Sequence, residues 1–372
     1  MPRYSPRVAN NFMLLSILFG NLLVNLIYFT AGYILRISGE VGASVVGLLL
    51  QPGVPLIIGQ LSVALVPFFV YLLVTGQKVS DVLPLKPIGP LNLFLIAMIT
   101  ITLMPLATLM LIITMLLFGI GNNVDQILGE VAQASFGLAF IIIAIVPSVF
   151  EEITMRGIVL SNYRNVDIQK AALVNGLFFG IFHLNPVQFL YAFLLGYVFA
   201  LMVFYTRSIY SAMFAHFVFN GTQMMLARFA QEYIQNQVAQ GEAVQMPDMT
   251  TPEMLLASAI SYAIVAAIFT PVAVILFKSF KGINRRNHLR EEFETRPLEN
   301  DGTHKHGGLA VSTCGPAGLS SDDFDTAHVQ LPDTPKGFQE GYHGDQRIVT
   351  AGFVLTIIMY ILFAIWFFGG LS

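Results

Sequence analysis

Glu151 and Glu152 close an apolar run, Phe136 to Val149, that contains no charge, and Arg156 follows Glu152 by four residues. One ionised side chain at the centre of a membrane helix costs roughly 2.5–3.5 kcal/mol on insertion scales. A chain that brings three of them within six residues is either leaving the membrane there or building a site. The i,i+4 spacing puts Glu152 and Arg156 on one helix face, where they can neutralise each other. Glu151 lies about 100° away around the helix and has no local partner, which makes it the first candidate for chemistry.

Two more polar groups sit in apolar surroundings. His183 ends the run Gly176 to His183, and His216 lies in a second run with Asn220 four residues on, so His216 and Asn220 point the same way from one helix. Taken singly, each has a plain structural use: a membrane histidine or asparagine often serves as a hydrogen-bonding contact between helices, and a Glu pair with an Arg can mark an interface. Gly176 and Gly180 form a small-xxx-small pattern, expected to let this helix pack closely and bring His183 toward the Glu-bearing helix. Phe179, four before His183, is expected to be packing.

The elements that must hold these groups are membrane helices. The chain has 372 residues, 55% apolar and 11% charged, with a mean hydropathy of +0.71. Soluble proteins average about 25% charged residues, so the composition implies an integral membrane protein. Uninterrupted apolar stretches of about 18 residues or more favour a helical bundle over a β-barrel. The fold expected is all-α: a polytopic bundle of about 8–9 transmembrane helices, at about 11–35, 54–76, 91–117, 135–160, 171–185, 187–206, 208–227, 253–277 and 348–369. Residues 41–51 are apolar but run into Pro52 and Pro55, and are read as an interfacial or re-entrant piece. The first apolar run is too long for a signal-peptide core and is read as a retained helix. A single cysteine, Cys314, leaves no intramolecular disulfide and no thiolate pair for a metal.

Residues 278–347 break the pattern, with 9 of the 19 basic residues, 11 of the 22 acidic residues and 5 of the 7 histidines. This stretch is expected to be a disordered cytoplasmic loop. The organisation expected is therefore N-terminal helices over 1–134, a catalytic core over 135–227, an extracytoplasmic loop and helix over 228–277, the polar loop over 278–347, and a last helix over 348–372. Basic residues fall at alternate connections: Arg3 and Arg7, Lys78 and Lys86, Arg164 and Lys170, Arg207, then the cluster from Lys278 to Arg290. The positive-inside rule then places the N-terminus in the cytoplasm, and the protein is expected in a bacterial plasma membrane. With this orientation and 1.5 Å per residue, Glu151, His183, His216 and Asn220 lie roughly 14, 18, 12 and 18 Å from the cytoplasmic helix ends. Four independent placements at one depth are hard to attribute to packing alone, and intramembrane ionisable groups are functional by default.

Glu151-Glu152-x-x-x-Arg156, Phe179-x-x-x-His183 and His216-x-x-x-Asn220 together resemble the three motifs of the CAAX protease and bacteriocin-processing (CPBP) family, whose best-known members are type II CAAX prenyl endopeptidases. The resemblance covers about 135–227, in the family's order and spacing, with His183-Leu184-Asn185-Pro186 and Phe193-Leu194-Leu195-Gly196-Tyr197 between motifs. Each motif alone is weak; three in order within membrane helices are specific. The resemblance implies an intramembrane endopeptidase in which Glu151 is the general base, with Glu152 and Arg156 orienting it or holding the geometry of their helix. Two versions follow. In one, without metal, Glu151 and His183 hold the water while His216 and Asn220 donate to the oxyanion. In the other, His183, His216 and Glu151 (or Glu152) bind Zn²⁺. The chain has no His-Glu-x-x-His helix, and the metal-free version is preferred.

The partners expected are the bilayer and a membrane-associated or lipidated peptide, with no nucleic acid. Two readings from other classes compete. A catalytically silent peptide-binding or bacteriocin-immunity module would have no need of a base beside oxyanion donors. An ion-coupled transporter would show repeats with broken helices in both halves, whereas the polar set here is confined to three runs.

Overall fold

The computed structural model describes residues 4–51, 53–119, 135–240, 251–295 and 347–369. These form ten principal helices: α1 (Pro6–Ser38), α2 (Glu40–Leu49), α3 (Val54–Thr75), α4 (Pro90–Phe118), α5 (Phe136–Asn162), α6 (Ile168–Phe182), α7 (Phe189–Thr206), α8 (Ile209–Ala239), α9 (Pro252–Thr295) and α10 (Ala351–Gly369). Among the described residues the only β-pairing is an isolated bridge between Leu85 and Ser208. The protein is an all-α polytopic membrane protein. Among the described residues six helices are long and apolar enough to cross a membrane: α1, α3, α4, α5, α7 and α9. Each of the nine expected spans falls on a helix, but α6 has only 15 residues, and α8 carries His216, Asn220 and Gln223 in its apolar half.

Local chemistry starts and bends these helices. Ser5 caps α1 with Pro6 at its first position, Ser135 caps α5, and Asp167 accepts from the amides of Gln169 and Lys170 at the start of α6. Pro67 in α3 and Pro147 in α5 have no N–H for the carbonyl four residues before them. In both helices the turn ahead of the proline widens to π geometry, at Leu61–Leu65 and Ile141–Ile145. Side chains from neighbouring helices reach the carbonyls those prolines cannot serve. Ser16 of α1 donates to Val63 O at 2.5 Å, and Asn220 of α8 donates to Ile143 O at 3.0 Å.

Helices α3 and α5 run in parallel through the centre: Gly53 lies against Ile142, Gln60 against Glu151 and Thr154 against Ala64 O. The apolar stretch after α1 forms α2, which folds back so tightly that a Cβ on Gly42 would meet the Leu35 backbone at 2.0 Å.

Helices α6 and α7 make a tight hairpin. A Cβ on Gly176 would sit 2.6 Å from Phe193 O, and one on Gly180 2.9 Å from the Phe189 carbonyl oxygen. The two glycines therefore close α6 onto α7, not onto α5 as expected; the tie between α6 and α5 is Asn175, whose amide donates to Met155 O at 2.8 Å. The tip of the hairpin is buried, with Val187 O accepting from Thr114 of α4.

The expected disordered loop over 278–347 is corrected at its start, because α9 continues through Lys278 to Thr295. The stretch is amphipathic rather than uniformly polar. Phe280 is fully buried, Asn284 exchanges paired hydrogen bonds of 3.0 Å with Asn92, His288 contacts Tyr205 O at 2.7 Å and Glu291 meets Lys86 at 2.6 Å. Helix α8 likewise runs past 227 to Ala239, into the segment expected to be a loop. The rest of the expected polar loop, 296–346, lies outside the described residues.

Candidate active site

The Glu151, Glu152 and Arg156 side chains are buried in mid-α5, and His216 is buried on α8. His183 sits one residue beyond the end of α6, where Leu184 turns the chain with a φ of 44°. The helix expected to run through 185 thus ends at Phe182, with His183 at the hairpin tip. His183 nonetheless meets the others: its Nε2 is 3.9 Å and His216 Nε2 4.0 Å from the same atom, Glu151 Oε2. That oxygen is buried and makes no hydrogen bond. The other, Oε1, accepts from Gln60 Nε2 at 2.6 Å.

Both imidazoles are oriented from behind. His183 Nδ1 lies 2.7 Å from Phe179 O, and His216 Nδ1 lies 2.8 Å from Glu152 Oε1. A carbonyl and a carboxylate only accept, so Nδ1 carries the proton in each ring and Nε2 is the face presented to Glu151. Arg156 Nη1 is 3.0 and 2.9 Å from the two oxygens of Glu152, and Nη2 donates to Gly196 O at 3.1 Å. The guanidinium also lies over the rings of Phe179 and Phe199, 4.7 and 5.5 Å from their centroids, a cation–π contact worth about 2 kcal/mol when desolvated. A chain of contacts thus runs Gly196, Arg156, Glu152, His216, and ends facing Glu151.

The expected pairing of Glu152 with Arg156 is present, and Glu151 has one oxygen without a hydrogen bond. Phe179 does more than fill space, since its ring stands edge-on to both His183 and His216 and its carbonyl fixes His183. Asn220 lies on the His216 side of α8 as expected, with one Nδ2 hydrogen given to Ile143 O and a second remaining on the same nitrogen. Gln60 was missed from sequence. It is a polar residue in the otherwise apolar run Val54 to Ala64, broken besides only by Ser62, a signal of the same kind as the one that singled out His183.

For metal, the donor types are suitable, since an imidazole with Nδ1 bound to an acceptor is how histidine ligands are usually held. The spacing is not. Ligand atoms about 2.0–2.2 Å from a tetrahedral zinc stand roughly 3.4 Å apart, against 3.9 and 4.0 Å here. Among the described residues no group of three His, Cys, Asp or Glu side chains is arranged to hold an ion.

Residues 133–222 match the family model described as type II CAAX prenyl endopeptidase Rce1-like. Over these residues the chain is similar to that family. No curated protein and no solved structure matches the chain. The Rce1-like segment covers about a quarter of the sequence and runs from just before α5 to Thr222 of α8. It contains Glu151, Glu152, Arg156, His183, His216 and Asn220, and supports, at the level of the family, a CAAX-type endopeptidase in the membrane. Gln60 and the helices α1–α4, α9 and α10 lie outside the Rce1-like segment.

Proposed function

We propose that the chain is an intramembrane endopeptidase that hydrolyses a peptide bond in a membrane-associated or lipidated substrate, with water activated by Glu151. The observation that carries this reading is Glu151 Oε2, buried, unbonded, and faced by two imidazole Nε2 atoms at 3.9 and 4.0 Å. Atoms so spaced each accommodate a hydrogen bond of about 2.8 Å to one shared water oxygen.

Water held by Glu151 Oε2 and His183 Nε2 gives its proton to Glu151 as its oxygen bonds to the scissile carbonyl carbon. The carbonyl π electrons move to oxygen. Donors stabilise that oxyanion in a site closed to bulk water, where each is worth more than in solution. The second Nδ2 hydrogen of Asn220 is one donor. His216 is the other when its ring holds both protons, and the buried set of two carboxylates, one guanidinium and one imidazolium then has no net charge, the state that costs least in a low-dielectric surrounding. Collapse of the intermediate breaks the C–N bond, and Glu151 returns the proton to the leaving amine.

The clustering of basic residues at alternate connections supports an N-terminus in the cytoplasm, and the membrane proposed is a bacterial plasma membrane. The test uses purified protein in liposomes and a fluorogenic peptide bearing a prenylated cysteine near its C-terminus. The expected result is cleavage by wild type and its loss in His183→Ala and Glu151→Gln, both still folded. Cleavage by both variants at the wild-type rate would overturn the mechanism.

A further inference from the structure

Gln60 belongs to a helix outside the Rce1-like segment, yet its Nε2 contacts Glu151 Oε1 at 2.6 Å. We infer that Gln60 is a positioning residue of the active site: it ties up one oxygen of Glu151 so that the other is turned toward His183 and His216. The inference rests on the reading of Glu151 as base.

The geometry makes the two oxygens of Glu151 unequal. A free carboxylate can rotate to offer either oxygen, or bridge toward both imidazoles. With Oε1 occupied by an amide that donates at short range, rotation would break a charge-assisted bond in a site that offers little water to replace it. Only Oε2 is then left for a water.

The placement of Gln60 is itself secured. The π turn begins at the next residue, Leu61, and such turns inside α-helices occur frequently at functional sites. One turn on, Ala64 O accepts from Thr154 Oγ1 at 3.3 Å, which fixes the register of α3 against α5 three residues from Glu151. Behind α3, Ser16 holds Val63 O, and Gly20 lets α1 approach so closely that a Cβ there would lie 2.7 Å from Val63 Cα. The α1–α3 pair is thus a brace for one amide. The other end of that amide, Gln60 Oε1, is buried and without a partner. An acceptor left bare beside the reacting carboxylate is suited to an N–H of the bound peptide, so the same side chain would align substrate and base together.

The test compares wild type, Gln60→Met, Gln60→Glu and Glu151→Gln on the prenylated fluorogenic peptide in liposomes, with kcat, KM and thermal midpoint measured for each. Gln60→Met keeps the length of the side chain and loses the donor. It is expected to lower kcat by about 10–100-fold, since small misplacements of a reacting group cost that much, with its midpoint held. Gln60→Glu can donate to Glu151 only while protonated. Its pH–rate profile is expected to differ in shape from wild type, confined to the acid side, although Glu152, Arg156, His183 and His216 face the same carboxylate unchanged. A purely structural role would lower kcat and midpoint together and leave the shape of the profile alone. Gln60→Met with kcat within twofold of wild type, or Gln60→Glu with a wild-type profile, would overturn the inference. Should Glu151→Gln cleave normally, the failure lies in the reading of Glu151 as base; should Glu151→Gln be dead and Gln60→Met normal, it lies with Gln60 alone.

Discussion

Asn220 donates its side-chain amide to the carbonyl of Ile143, the oxygen that Pro147 cannot serve. Pro147, four residues before Glu151, thereby leaves a carbonyl that holds an asparagine from another helix. Asn220→Ala removes the partner of a helix carbonyl and, on the proposed mechanism, an oxyanion donor. The expected loss is about 10²–10³-fold in kcat, with stability lowered by about 1 kcal/mol. Turnover and thermal melting of the purified variant check both, and unchanged turnover would remove Asn220 from the oxyanion site.

Arg156 and Glu152 have no exposed side-chain surface, so neither can be removed alone without stranding the other. Arg156→Met is expected to destabilise the protein by about 3–5 kcal/mol. Arg156→Lys restores little, because an ammonium cannot contact Glu152 and Gly196 O together while stacking on Phe179. The double variant Arg156→Met with Glu152→Gln should lose less than the sum of the singles. Melting midpoints in detergent measure the coupling, and strict additivity would contradict it.

Much of this was legible in the sequence and some was not, for physical reasons. The i,i+4 pair of Glu152 and Arg156, and the isolation of Glu151, follow from helix geometry alone. Helix rise gives His183 and His216 a similar depth, but not that both face one carboxylate oxygen, which depends on how α6 and α8 pack around α5. The glycines of α6 were read as close-packing residues correctly, but a one-dimensional pattern does not name the partner helix. The charge content after Lys278 is that of a solvated loop, and only its helical phase reveals a stripe that packs. Phe280, Asn284 and His288, four residues apart, mark the buried stripe that keeps α9 helical. Gln60 is a single uncharged amide in an apolar run, and its link to Glu151, 91 positions away, is made only by the packing of α3 on α5.

Gly196 tests the hairpin. A Cβ there would stand 2.7 Å from Phe179 Cβ and 2.8 Å from Gly176 Cα, so Gly196→Ala must push α7 from α6 and shift the ring that touches both histidines. A stability loss of about 1–3 kcal/mol is expected, together with reduced turnover. Melting and peptide cleavage follow it, and wild-type values for both would contradict the packing described.

The α9 extension is tested by Asn92 and Asn284. As a reciprocal amide pair, Asn92→Ala and Asn284→Ala should each cost about 1–3 kcal/mol by leaving the other side chain under-bonded, and the double variant little more than one of them. Removing Glu291 should change stability by less than about 1 kcal/mol, because its pair with Lys86 is half exposed.

The measurement that bears most directly on the central claim is cleavage of the prenylated peptide by wild type and Glu151→Gln in liposomes, with metal content determined on the same samples. The account predicts cleavage by wild type, none by folded Glu151→Gln, and no stoichiometric metal in either. Undiminished cleavage by Glu151→Gln would contradict Glu151 as the base. Zinc near one per chain, lost together with activity on chelation, would contradict the metal-free mechanism.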